Sequence, residues 1–233
     1  MKHNTNLYDI VVVGGGHAGI EAVTASTKQK LRTALITMDA SSLGRMSCNP
    51  AVGGIAKGQV VREIDVLGGV MGRFADAAGI QFRLLNKSKG RSVWSPRAQV
   101  DKRLYEKLAT KFLLSVQALD IIEKEVVNLL IKNNTVTGLV FRGGETINAS
   151  TVVLTCGTFL NGLIHIGEQK IKAGRMGERR AAGITEALVS LGFRSGRLKT
   201  GTPPRLSRSS IQWKKTSAVY GDRHPVPFSY STV

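Results

Sequence analysis

YDIVVVGGGHAGIEAVTASTKQ, residues 8–29, is followed closely by TALITM at 33–38. The first segment opens with a short apolar run rich in β-branched residues, which predicts a buried strand over 8–13. A glycine turn comes next, then a helical spacing that carries Ile20, Val23 and Thr27. Residues 33–38 read as a second strand. Strand, turn, helix and strand in immediate succession make a βαβ unit, which predicts a parallel sheet in a doubly wound α/β fold.

Within the turn, Gly14, Gly16 and Gly19 keep the G-x-G-x-x-G spacing, with Gly15, His17 and Ala18 between them. Gly14 permits a tight turn, Gly16 lets a pyrophosphate approach the backbone, and Gly19 lets the helix pack closely. The helix N-terminus adds free N–H groups and the positive end of its dipole. An acid that binds a ribose hydroxyl is due at the end of the second strand. There the chain has Thr37, whose hydroxyl can still bond a ribose without charge, and Asp39 two residues later.

The unit suits NAD or FAD. The following loop, SSLGRMSCNPAVGGIAKG at 41–58, resembles the stretch that brings a cysteine to the flavin ring in disulfide-reductase flavoproteins, which favours FAD. Cys48 is the candidate catalytic residue. A helix opening just after Asn49-Pro50, with Arg45 and Lys57 nearby, would stabilise its thiolate. Cys156, in VVLTCGTFLNG, reads as structural, with Gly157 allowing close approach to a cofactor. His17 and His165 lack metal-ligand spacing, and no metal is expected.

Further along, VVREIDVLGGVMGRFADAAG has helical spacing broken at Gly68 and Gly69. Residues 97–113 predict an amphipathic helix with Val100, Leu104, Leu108 and Phe112 inward and a basic outer face. Residues 120–166 predict strands with a hairpin turn at Gly143-Gly144, and 174–193 hold one further helix. HPVPFSYSTV is strand-like and ends without a terminating signal, as a fragment would.

The chain of 233 residues carries 33 Lys+Arg against 16 Asp+Glu, a formal net charge of +17, which favours a polyanionic partner. Around Trp94, the run RLLNKSKGRSVWSPRAQVDKR offers cations and one aromatic for a nucleic acid. Two cysteines make no disulfide framework. No apolar run approaches the roughly 20 residues that cross a bilayer, and MKHNTNLYDI lacks a signal-peptide h-region, so a soluble cytoplasmic protein is expected.

Taken in order, GGGHAG, SCNPAVGGIAKG, LGGVMG, GIQFRLLNKSKG, VVLTCGTFLNG and GRLKTGTPPR are closely similar to the MnmG (GidA) family. The resemblance runs through essentially the whole chain. It implies an FAD-binding Rossmann-like domain of the two-dinucleotide-binding flavoprotein type over residues 1–200, and the start of an inserted NAD-binding-type domain over 201–233. It implies an enzyme that works with the GTPase MnmE on the wobble uridine of tRNA. The two add an aminomethyl or carboxymethylaminomethyl group at carbon 5, with methylenetetrahydrofolate as carbon donor and NADH as reductant. Carried over by motif, Gly14, Gly15, Gly16, His17, Ala18 and Gly19 bind the FAD diphosphate, Val126 touches the adenine side, and Cys48 is catalytic. Where the family often has a serine contacting FAD this chain has Ala181, whose contact must be through the backbone. A homodimer is implied too. The family is much longer than this chain, which alone is expected to be inactive. Two other readings are a folate- and FAD-dependent tRNA uridine methyltransferase of the TrmFO type, which lacks the SCNP string, and a non-catalytic flavin-bound RNA-binding module.

Overall fold

The computed structural model describes residues 7–46, 50–175, 177–199, 201 and 206–232. The elements are β1 (Leu7–Val13), α1 (His17–Lys28), β2 (Thr33–Thr37), β3 (Ala51–Gly53), α2 (Lys57–Val66), α3 (Met71–Ala77), β4 (Gly79–Leu85), β5 (Ser95–Val100), α4 (Lys102–Leu114), β6 (Leu119–Glu123), β7 (Val126–Lys132), β8 (Thr135–Phe141), β9 (Thr146–Leu154), β10 (Ile164–Ile166), β11 (Gln169–Ile171) and α5 (Ile184–Ser190).

The predicted βαβ unit is present and lies at the middle of a six-stranded sheet, order β6-β2-β1-β9-β8-β7. β1 pairs in parallel with β2 and with β9, and β2 in parallel with β6. The continuous valine run of β1 follows from burial on both faces. Val12 joins one core cluster with Ile20 and Val23 of α1, whereas Val11 and Val13 join a second with Val126, Leu139, Phe141 and Ile184. β7, β8 and β9 form an antiparallel extension, and the expected turn between β8 and β9 bends at Gly143 and Gly144, both with positive φ. This mixed α/β sheet with a parallel centre is the Rossmann-like class that the sequence predicts.

Three local expectations need correction. The helix predicted over 97–113 begins only at Lys102, because the Asp101 carboxylate accepts hydrogen bonds from the N–H groups of Arg103 (2.9 Å) and Leu104 (3.1 Å) and caps it. Residues 95–100 instead form β5, at the centre of a three-stranded sheet of order β3-β5-β4. With the start moved, the fully buried face is Tyr105, Ala109 and Leu113, and Leu104 is left 40% exposed.

The helix expected immediately after Asn49-Pro50 is also displaced. Ala51–Gly53 form β3, and positive φ at Gly53, Gly54 and Ala56 holds off α2 until Lys57.

The third concerns HPVPFSYSTV, of which the described part, 224–232, forms no strand. Pro225 and Pro227 remove ladder donors. Carboxylates anchor the segment instead. Asp76 accepts from the N–H groups of Phe228 (2.7 Å) and Ser229 (2.9 Å), and Asp65 from that of Tyr230 (2.9 Å). The Phe228 ring is thereby buried with Val52, Val61 and Phe74, a burial that contributes about 1.5–3 kcal/mol.

Candidate functional site

The glycine turn joins β1 to α1, and each of its glycines meets a different constraint. Gly14 has φ +114°, and a Cβ there would lie 2.4 Å from the Thr155 carbonyl oxygen. A Cβ on Gly19 would lie 1.9 Å from the Gly14 carbonyl oxygen, and one on Gly15 would lie 2.5 Å from Leu43 Cδ2. Gly16 is the exception, since nothing lies within 4 Å of its Cβ position. It is the N-cap of α1 and no side chain caps the helix, so the first-turn N–H groups have no side-chain acceptor. The open surface above a helix N-terminus, formed by a residue without a side chain, is what a diphosphate requires. His17 starts the helix, half-buried, and Ala18 is exposed.

Thr155, just beyond β9, supports this turn, a role the sequence reading missed. Its N–H donates to the Val13 carbonyl at 2.8 Å, and its hydroxyl donates to the carbonyls of Val13 (2.9 Å) and Gly14 (3.1 Å). The Thr-Cys-Gly string is the available signal, a hydroxyl at the strand end directly before Cys156 and Gly157. Burial pushes the Cys156 thiol up, so it stays protonated near neutrality, as a structural cysteine should.

The loop after β2 is tied to the same turn through the Gly44 N–H, which donates to the Gly15 carbonyl at 2.9 Å. Thr37 closes β2, and its hydroxyl faces the backbone of Asp39. The Asp39 carboxylate accepts from the Ser41 hydroxyl (2.6 Å) and N–H (2.8 Å), and these bonds hold it below the usual carboxylate range. Arg45 then reaches Glu106 of α4 at 2.9 Å and Glu178 at 3.2 Å, fixing the path of the loop. Its charge is thus matched by the carboxylates of Glu106 and Glu178. Cys48 itself lies outside the described residues, as do Ser47 and Asn49.

Val126 opens β7 and is buried in the same cluster as Val13 and Ile36, so it shares a core with the strands that lead into the turn. Ala181 forms a parallel bridge with Leu160; its N–H donates to the Phe159 carbonyl (3.1 Å) and its carbonyl accepts from Asn161 (2.8 Å). Only the second lone pair of that carbonyl is left for another backbone contact. The structure therefore brings residues 14–19 together with Thr155 and the loop after β2, and sets Ala181 in a bridge with Leu160, its neighbour Ala182 donating to Glu125 beside Val126. Among the described residues no His, Cys, Asp and Glu group could hold a metal, and no helix is long and apolar enough to cross a membrane.

Burial, and secondarily the Arg175 charge, lower the pKa of His17, whose ring lies 5.4 Å from that of Tyr105. At neutral pH the imidazole is uncharged beside the turn. Because the folded pKa is below the unfolded value of about 6.5, the unfolded chain binds the extra proton first. Stability is then complete above pH ~6.5 and falls as pH drops toward the folded pKa. Urea unfolding at pH 7.5 and 5.5 is expected to show a loss at the lower pH that His17→Gln reduces. An equal loss in the variant would remove His17 as its source.

A glycine turn at the end of a parallel strand, an uncapped helix above an open backbone and a neighbouring strand that braces it define a nucleotide-binding α/β protein of the Rossmann-like class. Within that class, the chain belongs to the family described as glucose inhibited division protein A, whose model matches residues 9–233. It is 50% identical over 226 residues to the tRNA uridine 5-carboxymethylaminomethyl modification enzyme MnmG of Endomicrobium trichonymphae, covering 97% of this chain and 38% of that protein. The MnmG of Thermodesulfovibrio yellowstonii is likewise 50% identical, with 97% and 36% covered. Aquifex aeolicus GidA superposes with a TM-score of 0.93 at 46% identity, covering 98% of this chain and 38% of that one. The chain thus spans between a third and two-fifths of these relatives' length.

Proposed function

We propose that this chain carries the FAD-binding part of an MnmG-type enzyme that modifies the wobble uridine of tRNA in the cytoplasm. The observation that carries the reading is the open backbone at Gly16 over the uncapped N-terminus of α1, in a chain half identical to MnmG relatives. In this reading Gly14, Gly15, Gly16, His17, Ala18 and Gly19 hold the FAD diphosphate through backbone N–H groups and the helix dipole. An uncharged His17 adds no charge there, and Thr155 keeps the turn from shifting. Val126 lies toward the adenine side, and Ala181 contributes its backbone carbonyl. FAD, when bound, supplies the redox chemistry, with NADH as its reductant.

Cys48 supplies the thiol that adds to the uracil ring and activates carbon 5. Its loop follows β2, is tied to the glycine turn by the Gly44 N–H and is held by Arg45, which supports a position beside the cofactor. Methylenetetrahydrofolate as carbon donor, MnmE as partner GTPase and a homodimeric enzyme complete the proposal.

The test is nucleoside analysis of tRNA incubated with the full-length enzyme, MnmE, methylenetetrahydrofolate, glycine, GTP and NADH. A carboxymethylaminomethyl uridine at the wobble position is the expected product. 5-Methyluridine at another position would favour the methyltransferase reading, and unmodified tRNA despite bound FAD would favour a non-catalytic module.

A further inference from the structure

We propose that the outer face of α4 is a contact surface for the phosphate backbone of tRNA, an inference that rests on the tRNA-directed reading above. Arg103, Lys107 and Lys111 follow one another at four-residue spacing, which lines them up along the helix about 6 Å apart. All three are exposed, and they lie across the helix from the buried face of Tyr105, Ala109 and Leu113.

This charge arrangement works against the helix that carries it. Like charges at i, i+4 destabilise a helix, and Arg103 sits in the first turn, where the dipole disfavours a cation. The sole acid in α4 is Glu106, and its carboxylate is held by Arg45 at 2.9 Å. Among the described residues none of the three cations makes an ion pair. A row of unpaired cations is therefore presented to whatever lies outside.

The surface is also shaped. Beside the cations lies an open hollow of about 610 Å³ whose wall includes the Thr110 hydroxyl, while the hydroxyls of Ser41 and Ser115, also at its wall, already donate to the Asp39 carboxylate and the Phe112 carbonyl. Lysine, arginine and hydroxyl groups are the side chains that hold nucleic-acid phosphates and fix register without reading sequence. A protein partner would need apolar or aromatic anchors at the centre of its interface, and the hollow has no aromatic residue and only Leu114 as a large apolar one. A lipid surface would need a continuous exposed apolar helix face, whereas the outer face of α4 exposes only Leu104 and Leu114 as large apolar residues, set among the cations. Charge complementarity with the chain's net +17 leaves a phosphate backbone as the occupant.

The experiment measures tRNA affinity of the full-length protein by fluorescence anisotropy across a salt series. It compares the wild type with the triple variant Arg103→Gln, Lys107→Gln, Lys111→Gln. A control variant, Lys132→Gln, Lys170→Gln, Lys172→Gln, removes the same charge from exposed positions on β7 and around β11. Three lost phosphate contacts, at roughly 0.7–0.9 each, should reduce the slope of log K against log salt by about 2–3 and weaken binding at least tenfold near physiological salt. The control should change far less. Flavin content and thermal melting are read on every sample, and both are expected to match the wild type, since the α4 side chains replaced are exposed. Equal weakening in both variants, or an unchanged slope in the α4 variant, overturns the surface while leaving the tRNA-directed reading in place. A flavin-loaded wild type that does not bind tRNA even at low salt overturns both.

Discussion

Gly16→Ala is expected to leave the fold standing while the protein loses its flavin. The backbone at Gly16 is extended, with φ −78° and ψ −174°, and nothing lies within 4 Å of the new methyl. An alanine N-cap is a poorer cap than glycine, so stability should fall by less than about 1 kcal/mol. With the diphosphate bound as proposed, the methyl would stand in its approach to the α1 N–H groups, and FAD affinity should drop by roughly tenfold or more, equivalent to about 1.4 kcal/mol. Gly19→Ala makes the contrast. Its methyl would lie 1.9 Å from the Gly14 carbonyl oxygen, so the turn must open or α1 must move away from β1. Overpacking of this kind costs about 1–3 kcal/mol, and both stability and flavin binding should fail together. Flavin absorbance per protein and urea unfolding of the two variants check the pair. If Gly16→Ala keeps full flavin, the diphosphate is not at this backbone.

Cys48→Ser is expected to abolish tRNA modification with FAD content unchanged. A serine hydroxyl is a far weaker nucleophile than a thiolate at neutral pH, and loss of a covalent nucleophile reduces turnover by roughly 10³-fold or more. The loop that leads to this residue is held by backbone and carboxylate contacts that the substitution leaves intact, namely Gly44 to Gly15 and Arg45 to Glu106 and Glu178. Turnover measured by nucleoside analysis, beside flavin absorbance, separates the possibilities. Wild-type modification by the serine variant would remove Cys48 from the chemistry, and loss of flavin together with activity would make it a structural residue of the cofactor loop.

What could be read from the sequence was what is local. The βαβ unit declares itself within about 30 residues because β1 is buried on both faces and because Gly14 and Gly19 tolerate no side chain. The break between α2 and α3 was legible at Gly68 and Gly69 for the same kind of reason. The errors came where a polar side chain or a distant strand decided the outcome. Asp101 moved the start of α4, and the pairing of β5 with β3 and β4 claimed residues whose spacing was also compatible with a helix.

Long-range ties left no local trace at all. Thr155 meets Val13 across 142 positions, and Asp76 holds Phe228 across 152. Glu21 offers a third case: its carboxylate accepts from the N–H groups of Val70 (3.0 Å) and Met71 (2.7 Å), capping α3 from α1. Nothing in the spacing of HAGIEAV marks that role. In the candidate site, the place of the glycines in a strand-to-helix turn was legible from their spacing, whereas the ion pairs of Arg45 required the fold.

We propose that the glycine turn holds FAD in an enzyme reduced by NADH. Its most direct test is the visible absorption spectrum of the purified full-length protein, followed by anaerobic titration with NADH. A flavin band that bleaches as NADH is added is the expected result. A colourless protein that cannot be reconstituted with FAD would contradict it.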